Sequence, residues 1–183
     1  MSTRRIRFSV VPSPLGLLLV AATERGVCNV RLGATAIALE MGLRAEFPFA
    51  EFERDDAGLA AWASALGRVS EGLPPGLEHP LDVPASRFRR RVWEALRAIP
   101  RGQTRTYADV ASALGRPRAA RAVGQACAAN PVALLVPCHR VVPAAGGAGG
   151  YRWGSQRKRA LLRAESGRAS GPRDLCPAGA LAR

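Results

Sequence analysis

The stretch Leu134-Leu135-Val136-Pro137-Cys138-His139-Arg140-Val141-Val142 sets a nucleophile beside a base inside an apolar run. The flanking Leu and Val residues read as a buried strand entering and leaving a turn. Pro137 confines Val136 to extended backbone, so Cys138 is expected to be held rigidly. An unpaired cysteine in apolar surroundings is ordinarily a small core residue, and that is the reading for Cys28 and Cys127. Cys138 differs because His139 and Arg140 follow at once, and their positive potential favours thiolate over thiol. On extended backbone, neighbours i and i+1 point to opposite faces. A sulfur-to-imidazole relay therefore needs a bridging water or a sharp turn.

Upstream of this stretch the pattern is helical. Ser86 is placed to cap a helix with Phe88, Val92, Trp93, Leu96 and Ile99 on its apolar face, ended by Pro100 and Gly102. Thr106-Tyr107-Ala108-Asp109 is a capping-box start, with Val110, Ala111 and Leu114 behind it and Gly115 as the stop. Pro117 can open the next helix at its first turn. Two short helices joined by a Gly-containing turn spell a helix-turn-helix. On the second of them Arg118, Arg121 and Gln125 share an outward face, while Ala119, Val123 and Cys127 turn toward the core. The remaining positions, Ala120, Ala122, Gly124 and Ala126, keep this helix thin. A bulky helix fits only the major groove of DNA, about 12 Å wide, whereas the minor groove of about 6 Å demands small side chains or widening.

Charge separates the chain into two halves. Of 183 residues, positions 1–85 hold 8 basic and 10 acidic side chains, whereas positions 86–165 hold 16 and 3, so that the second region carries +13. Such an excess repels itself unless a polyanion neutralises it, and nucleic acid fits better than a membrane surface, since no long basic amphipathic stretch carries Trp, Phe and Leu on its other face. Residues 5–11, 17–22 and 27–32 read as short strands of an antiparallel meander, separated by Pro/Gly turns. Helices are expected over 35–47, with Ile37, Leu39, Met41, Leu43 and Phe47 as a rough stripe, and over 58–69. This half reads as a scaffold without a site of its own. The Pro-rich segment 73–85, which contains His79, reads as a linker. Cysteines 28, 127, 138 and 176 form no C-x-x-C pair and no Cys/His cluster, so no metal site or disulfide framework is expected. With no 18-residue apolar span and no signal-peptide pattern, the protein is read as cytoplasmic.

Taken in register, these blocks closely resemble the O6-alkylguanine-DNA alkyltransferases, the methylated-DNA–protein-cysteine methyltransferases of bacterial type. The matching pieces are Tyr107-Ala108-Asp109-Val110-Ala111, Ala120-Arg121-Ala122-Val123-Gly124, Ala129-Asn130-Pro131, Pro137-Cys138-His139-Arg140-Val141-Val142, Gly149-Gly150-Tyr151-Arg152-Trp153-Gly154 and the run 158–165. Positions 9–47 resemble the family's N-terminal region less distinctively. The resemblance implies an α/β protein with two domains. Residues 1–72 would form a small antiparallel-sheet and helix domain, ribonuclease H-like. Residues 73–85 would be the linker, 86–166 a mostly helical, winged-helix-like domain for DNA binding and catalysis, and 167–183, with Cys176, a disordered tail.

It also implies roles. Cys138 would take the alkyl group from O6 of guanine, His139 would accept its proton through a water, and Glu165 would orient the imidazole. Asn130 would brace the turn, and Tyr151 would hydrogen-bond guanine N3. Pro137, Val141 and Arg152 would line the pocket, the carbonyls of Cys138 and Val141 taking the exocyclic amine and the amide of Arg152 serving O6. Tyr107, Arg118, Arg121, Gln125 and Arg140 would meet double-stranded DNA through its minor groove, Arg121 entering the base stack and Tyr107 pressing on a phosphate as the nucleotide flips. No cofactor is implied, and a monomer is expected. The segment 143–149 is an Ala/Gly-rich departure from a loop that more often carries a charge. Three rival readings remain: a lesion sensor without chemistry would replace Cys138, a winged-helix transcription factor would leave Cys138-His139 unexplained, and a Cys-His hydrolase would leave the arginine-bearing helix unexplained. Family members that also regulate transcription carry a cysteine-rich metal domain, absent from this sequence, so gene control is not expected.

Overall fold

A computed structural model describes residues 4–76 and 80–167. His79 and the expected tail from 168 onward, Cys176 included, lie outside the described residues. The chain begins with three strands, β1 (Arg4–Ser13), β2 (Gly16–Thr23) and β3 (Gly26–Gly33). They pair antiparallel through two tight hairpins closed at Ser13↔Gly16 and Thr23↔Gly26. Both hairpins need glycine. Gly16 has φ +99° and a Cβ there would lie 2.6 Å from the Gly33 carbonyl oxygen. At Gly26 a Cβ would meet the Pro80 carbonyl oxygen at 2.2 Å. The expected linker is thus fastened along β3: Val27 N–H donates to Pro80 O (2.8 Å) and Asp82 N–H to Val27 O (2.9 Å).

Helix α1 (Ala36–Glu46) follows, its N-cap Thr35 accepting from the Ala38 amide. Only Leu39 and Leu43 of its apolar stripe are buried, while Ile37 and Met41 are 73% and 66% exposed. Apolar residues two apart on a helix fall on nearly opposite faces, so the five could not all turn inward. Strand β4 (Ala50–Arg54), which the sequence reading lacked, joins β1 in parallel and completes the order β3-β2-β1-β4. After α2 (Ala60–Ser70) the sheet is covered on both faces. Ile6, Phe8, Leu19, Ala21 and Cys28 pack with α1, and Leu18, Val20 and Val30 join a larger cluster with Leu66 of α2 and with Val92, Val123 and Leu161 of the second half. The alternation Leu18/Leu19/Val20/Ala21 sends successive side chains to these two cores.

The second half is built on α3 (Arg87–Arg97), capped by Ser86, whose hydroxyl accepts from the Arg89 amide. Val92, Trp93, Leu96 and Ile99 are buried as the spacing requires, and the Trp93 indole donates to Ala126 O at 2.9 Å. A two-residue strand, β5 (Arg105–Thr106), leads into α4 (Tyr107–Ala113). The capping box forms in full: Thr106 Oγ1 accepts from Asp109 N–H (3.1 Å) and Asp109 Oδ2 from Thr106 N–H (2.8 Å), a device worth about 1 kcal/mol. Gly115, at φ +71°, ends the turn after α4. Pro117 opens a 3-10 turn, Pro117–Ala119, that runs into α5 (Ala120–Ala128). A second 3-10 turn, Cys138–Arg140, then gives way to β6 (Val141–Val142), which pairs in parallel with β5. That pairing ties the first residues after the Cys138 turn to the residues just before α4. The last helix is α6 (Ser155–Glu165).

Candidate active site

The apolar run before Cys138 is a set of turns and not the expected strand. Val132 bridges to Val30, Pro131 O and the Ala133 amide bond Val30, and the chain then reverses at Leu134, the one non-glycine residue with positive φ (+71°) among the described residues. Such a conformation costs roughly 1–3 kcal/mol and persists only where its surroundings determine it. Asn130 supplies that determination. Fully buried, it accepts from Val132 N–H through Oδ1 (3.0 Å) and donates through Nδ2 to Val136 O (2.9 Å), closing a loop over 130–136. The same Nδ2 lies 3.3 Å from Cys138 Sγ. The 3-10 turn Cys138–Arg140 follows directly.

His139 is fully buried, and its Nε2 lies 2.9 Å from Glu165 Oε1 at the end of α6. Burial would raise the Glu165 carboxyl, but hydrogen bonds from His139 and Arg140 more than offset it and hold it at about 2. Glu165 is therefore a carboxylate that can only accept. Burial also lowers the His139 pKa, so the ring is neutral at pH 7. The only proton on that ring then sits on Nε2, facing Glu165, and Nδ1 is left as a bare acceptor. Nδ1 is buried without a protein partner, as is the hydroxyl of Tyr151. Tyr151 meets the His139 ring edge-on, with centroids 6.4 Å apart, and the Trp153 ring at 5.1 Å.

Two sequence expectations are corrected here. Arg140, expected at the DNA, is buried. It donates to both Glu165 oxygens (2.9 and 2.7 Å) and to Ile99 O (2.6 Å), because the 3-10 turn swings it inward beside the carboxylate. The positive neighbours expected to favour thiolate are thereby cancelled, His139 being neutral and Arg140 paired. Burial pushes the Cys138 thiol up, opposed by the Asn130 hydrogen bond and by the charge of Lys158. Cys28 and Cys127 are buried core thiols, each pushed up to about 12 by burial.

Lys158 was given no role from sequence, although it is the one lysine among 27 basic residues, which was the signal available. It is fully buried on α6 and donates to Val141 O (2.6 Å) and Gly150 O (3.2 Å), clamping the Cys138 turn to the loop that carries Tyr151. Val141 O keeps a second lone pair. Pro137 and Val141 bracket the turn. Arg152 reaches back to Asn130 O at 3.0 Å. Arg118, in the 3-10 turn before α5, and Arg121 and Gln125 on α5 are exposed, with Tyr107 half-buried at the start of α4. A Cβ on Gly124 would lie 3.8 Å from the Tyr107 ring, an ordinary contact, so α5 packs beside that ring with room for a methyl group.

Fold and site together define a class: proteins in which a buried cysteine, backed by an Asn amide and a His–Glu pair, follows two short helices joined by a turn. Residues 87–167 match the family model of the 6-O-methylguanine DNA methyltransferase DNA binding domain. The chain is 38% identical over 170 residues to the methylated-DNA–protein-cysteine methyltransferase of Mycobacterium tuberculosis, covering 93% of this chain and 97% of that one. It is 40% identical over 161 residues to the bifunctional transcriptional activator/DNA repair enzyme Ada of Escherichia coli, which covers 88% of this chain and 46% of that protein. The chain thus spans about half the length of that relative. The crystal structure of Mycobacterium tuberculosis OGT in complex with DNA superposes with a TM-score of 0.74 at 35% identity, covering 89% of this chain and 94% of the other. The chain belongs to the O6-methylguanine-DNA methyltransferase family.

Proposed function

We propose that this protein repairs O6-alkylguanine in double-stranded DNA by moving the alkyl group irreversibly onto Cys138. The observation that carries the reading is the cluster itself: Asn130 Nδ2 at 3.3 Å from Cys138 Sγ, beside a neutral His139 whose Nδ1 has no protein partner. A thiol raised by burial needs a base at the moment of attack, and the bare Nδ1 is that base, reached through a water. The thiolate attacks the alkyl carbon, the carbon–sulfur bond forms as the carbon–O6 bond breaks, and the electron pair passes to the guanine. The unpartnered Tyr151 hydroxyl donates to guanine N3 as that charge develops. Carbonyls of Cys138 and Val141 take the exocyclic amine, and the Arg152 amide serves O6. Lys158 adds positive charge close to the sulfur.

A stacked guanine cannot present its O6 substituent to a buried sulfur, so the nucleotide must flip, at a cost of a few kcal/mol. Arg121 offsets that cost by entering the stack, with Tyr107 against the phosphate. Arg118, in the 3-10 turn before α5, and Gln125 on α5 extend the exposed surface on either side of Arg121, and the small residues between them suit the minor groove. The net +13 of positions 86–165 supplies the affinity for phosphate. The same reading makes positions 1–72 a ribonuclease H-like domain and 86–166 a winged-helix-like one, joined by 73–85, and takes the protein as a cytoplasmic monomer. No described helix is long and apolar enough to cross a membrane. Mass spectrometry of peptides after incubation with a duplex containing O6-methylguanine tests the reading. One methyl group on Cys138 is expected, and an unmodified Cys138 peptide would refute it.

A further inference from the structure

Glu46, the last residue of α1, lies 92 positions before Cys138 in the chain, in the half read from sequence as a scaffold without a site. Its Oε2 accepts from two guanidinium groups, Arg152 NH2 at 3.0 Å and Arg31 NH2 from β3. Arg31 is itself held by Asn29 Oδ1 at 2.9 Å. The other arm of Arg152 donates to Asn130 O at 3.0 Å, and Asn130 is the residue whose amide touches Cys138 Sγ. A chain of three contacts, Glu46 to Arg152 to Asn130 to Cys138, therefore runs from the first helix to the sulfur. These are not loose surface groups, since the side chains of Arg31, Glu46 and Arg152 are 16%, 28% and 31% exposed.

We propose that Glu46 is a positioning residue for alkyl transfer, holding Arg152 so that the Asn130 turn and the loop 149–154, which carries Tyr151, keep their places around Cys138. The inference rests on the transfer activity proposed above. Arg152 sits between Tyr151 and Trp153, with its guanidinium 5.7 Å from the Trp153 ring, so fixing its head fixes the backbone that presents Tyr151. Without the carboxylate, Arg31 and Arg152 would face each other as like charges with no anion between them. Arg152 would then leave Asn130 O for solvent, and the loop would lose its anchor on the N-terminal half. Misplacing reacting groups by about 1 Å costs on the order of a hundredfold in rate. A loosened loop that still visits the productive geometry costs less.

Single-turnover transfer from the free base O6-benzylguanine and from a methylated duplex tests this in the unmodified chain, Glu46→Gln, Glu46→Asp, Arg152→Ala and the double variant Glu46→Gln/Arg152→Ala. Glu46→Gln is expected to lower the limiting rate constant about tenfold on both substrates, while the half-saturating concentration of free base changes by about twofold or less. Glu46→Asp should recover most of the rate, because the charge is restored. The double variant should be no slower than Arg152→Ala alone, since both changes break one chain of contacts. Wild-type rates for Glu46→Gln, multiplying losses in the double variant, or a loss carried wholly by half-saturation would each overturn the positioning role. Failure of the unmodified chain to alkylate Cys138 would instead overturn the proposed function.

Discussion

Glu165→Gln is the perturbation with the most to reveal, because the two oxygens of that carboxylate accept three donors. His139 Nε2 and Arg140 NH2 share Oε1 at 2.9 and 2.7 Å, and Arg140 Nε holds Oε2 at 2.9 Å. Glutamine keeps the shape but offers one accepting oxygen, and turns an amide N–H toward a guanidinium that can only donate. Arg140, with a side chain 10% exposed, would remain buried with Ile99 O and the single glutamine oxygen as acceptors, and with no anion to match its charge. Breaking a buried pair from one side costs roughly 3–5 kcal/mol, most of it from the stranded charge. With a urea dependence of about 2 kcal/mol per molar, the unfolding midpoint should fall by roughly 2 M at unchanged slope. Adding Arg140→Met should recover a good part of the loss, because it removes the stranded cation. Equilibrium urea unfolding of the three proteins, followed by tryptophan fluorescence, decides the matter. A midpoint within about 0.5 M of the parent for Glu165→Gln, or no recovery on adding Arg140→Met, would refute the claim that this cluster is a coupled structural and catalytic unit.

The same cluster makes the fold sensitive to acid. Glu165 takes up its proton near 4.5 when unfolded but only near 2 when folded, so its contribution is whole above about pH 4.5 and is lost as pH falls toward 2. His139, lowered from 6.5 by burial, acts in the same direction, because the unfolded ring protonates first and stability begins to decline below pH 6.5. Unfolding midpoints measured from neutral to acid pH should therefore fall, and fall less steeply in Glu165→Gln; a flat profile in the parent would contradict both assignments. Arg121→Ala should slow repair in duplex DNA far more than transfer from the free base, because the side chain offsets only the cost of flipping. Equal losses on the two substrates, measured by single-turnover kinetics, would remove Arg121 from the stack.

What could be read from sequence was whatever local chemistry decides. The capping box Thr106/Asp109 and the Ser86 cap stand as read, because each is settled within four residues. Cys138, His139, Asn130 and Glu165 converge although only two of them are neighbours in sequence, and it was the order of the motif blocks that brought them together, since no single residue's pattern does. Features set by distant partners were not legible. Strand β4, Ala50-Glu51-Phe52-Glu53-Arg54, has no apolar run to announce it and exists because β1 offers an open edge. The run before Cys138 looked like a strand because it is apolar, but Asn130 folds it into turns from six residues upstream of Val136. Arg140 is expected at the DNA from the resemblance, and only the arrival of Glu165 from α6 shows why it turns in. Glu46 carried no signal, its partner Arg152 lying 106 positions away.

The proposed repair requires that Cys138 accept the alkyl group and never give it back. The product would be a thioether, which lacks the carbonyl that lets water release an acyl-enzyme. His139 and Glu165 can move a proton but cannot make water displace a thiolate from a methyl group. The direct measurement is the number of methyl groups removed from an excess of O6-methylguanine duplex as protein is titrated in, with Cys138→Ser as the control. A plateau at one methyl group per active chain is expected, each recovered on Cys138, with no transfer by Cys138→Ser while its binding to duplex persists. Clearance of excess lesions by a sub-stoichiometric amount of protein, or transfer by Cys138→Ser, would contradict it.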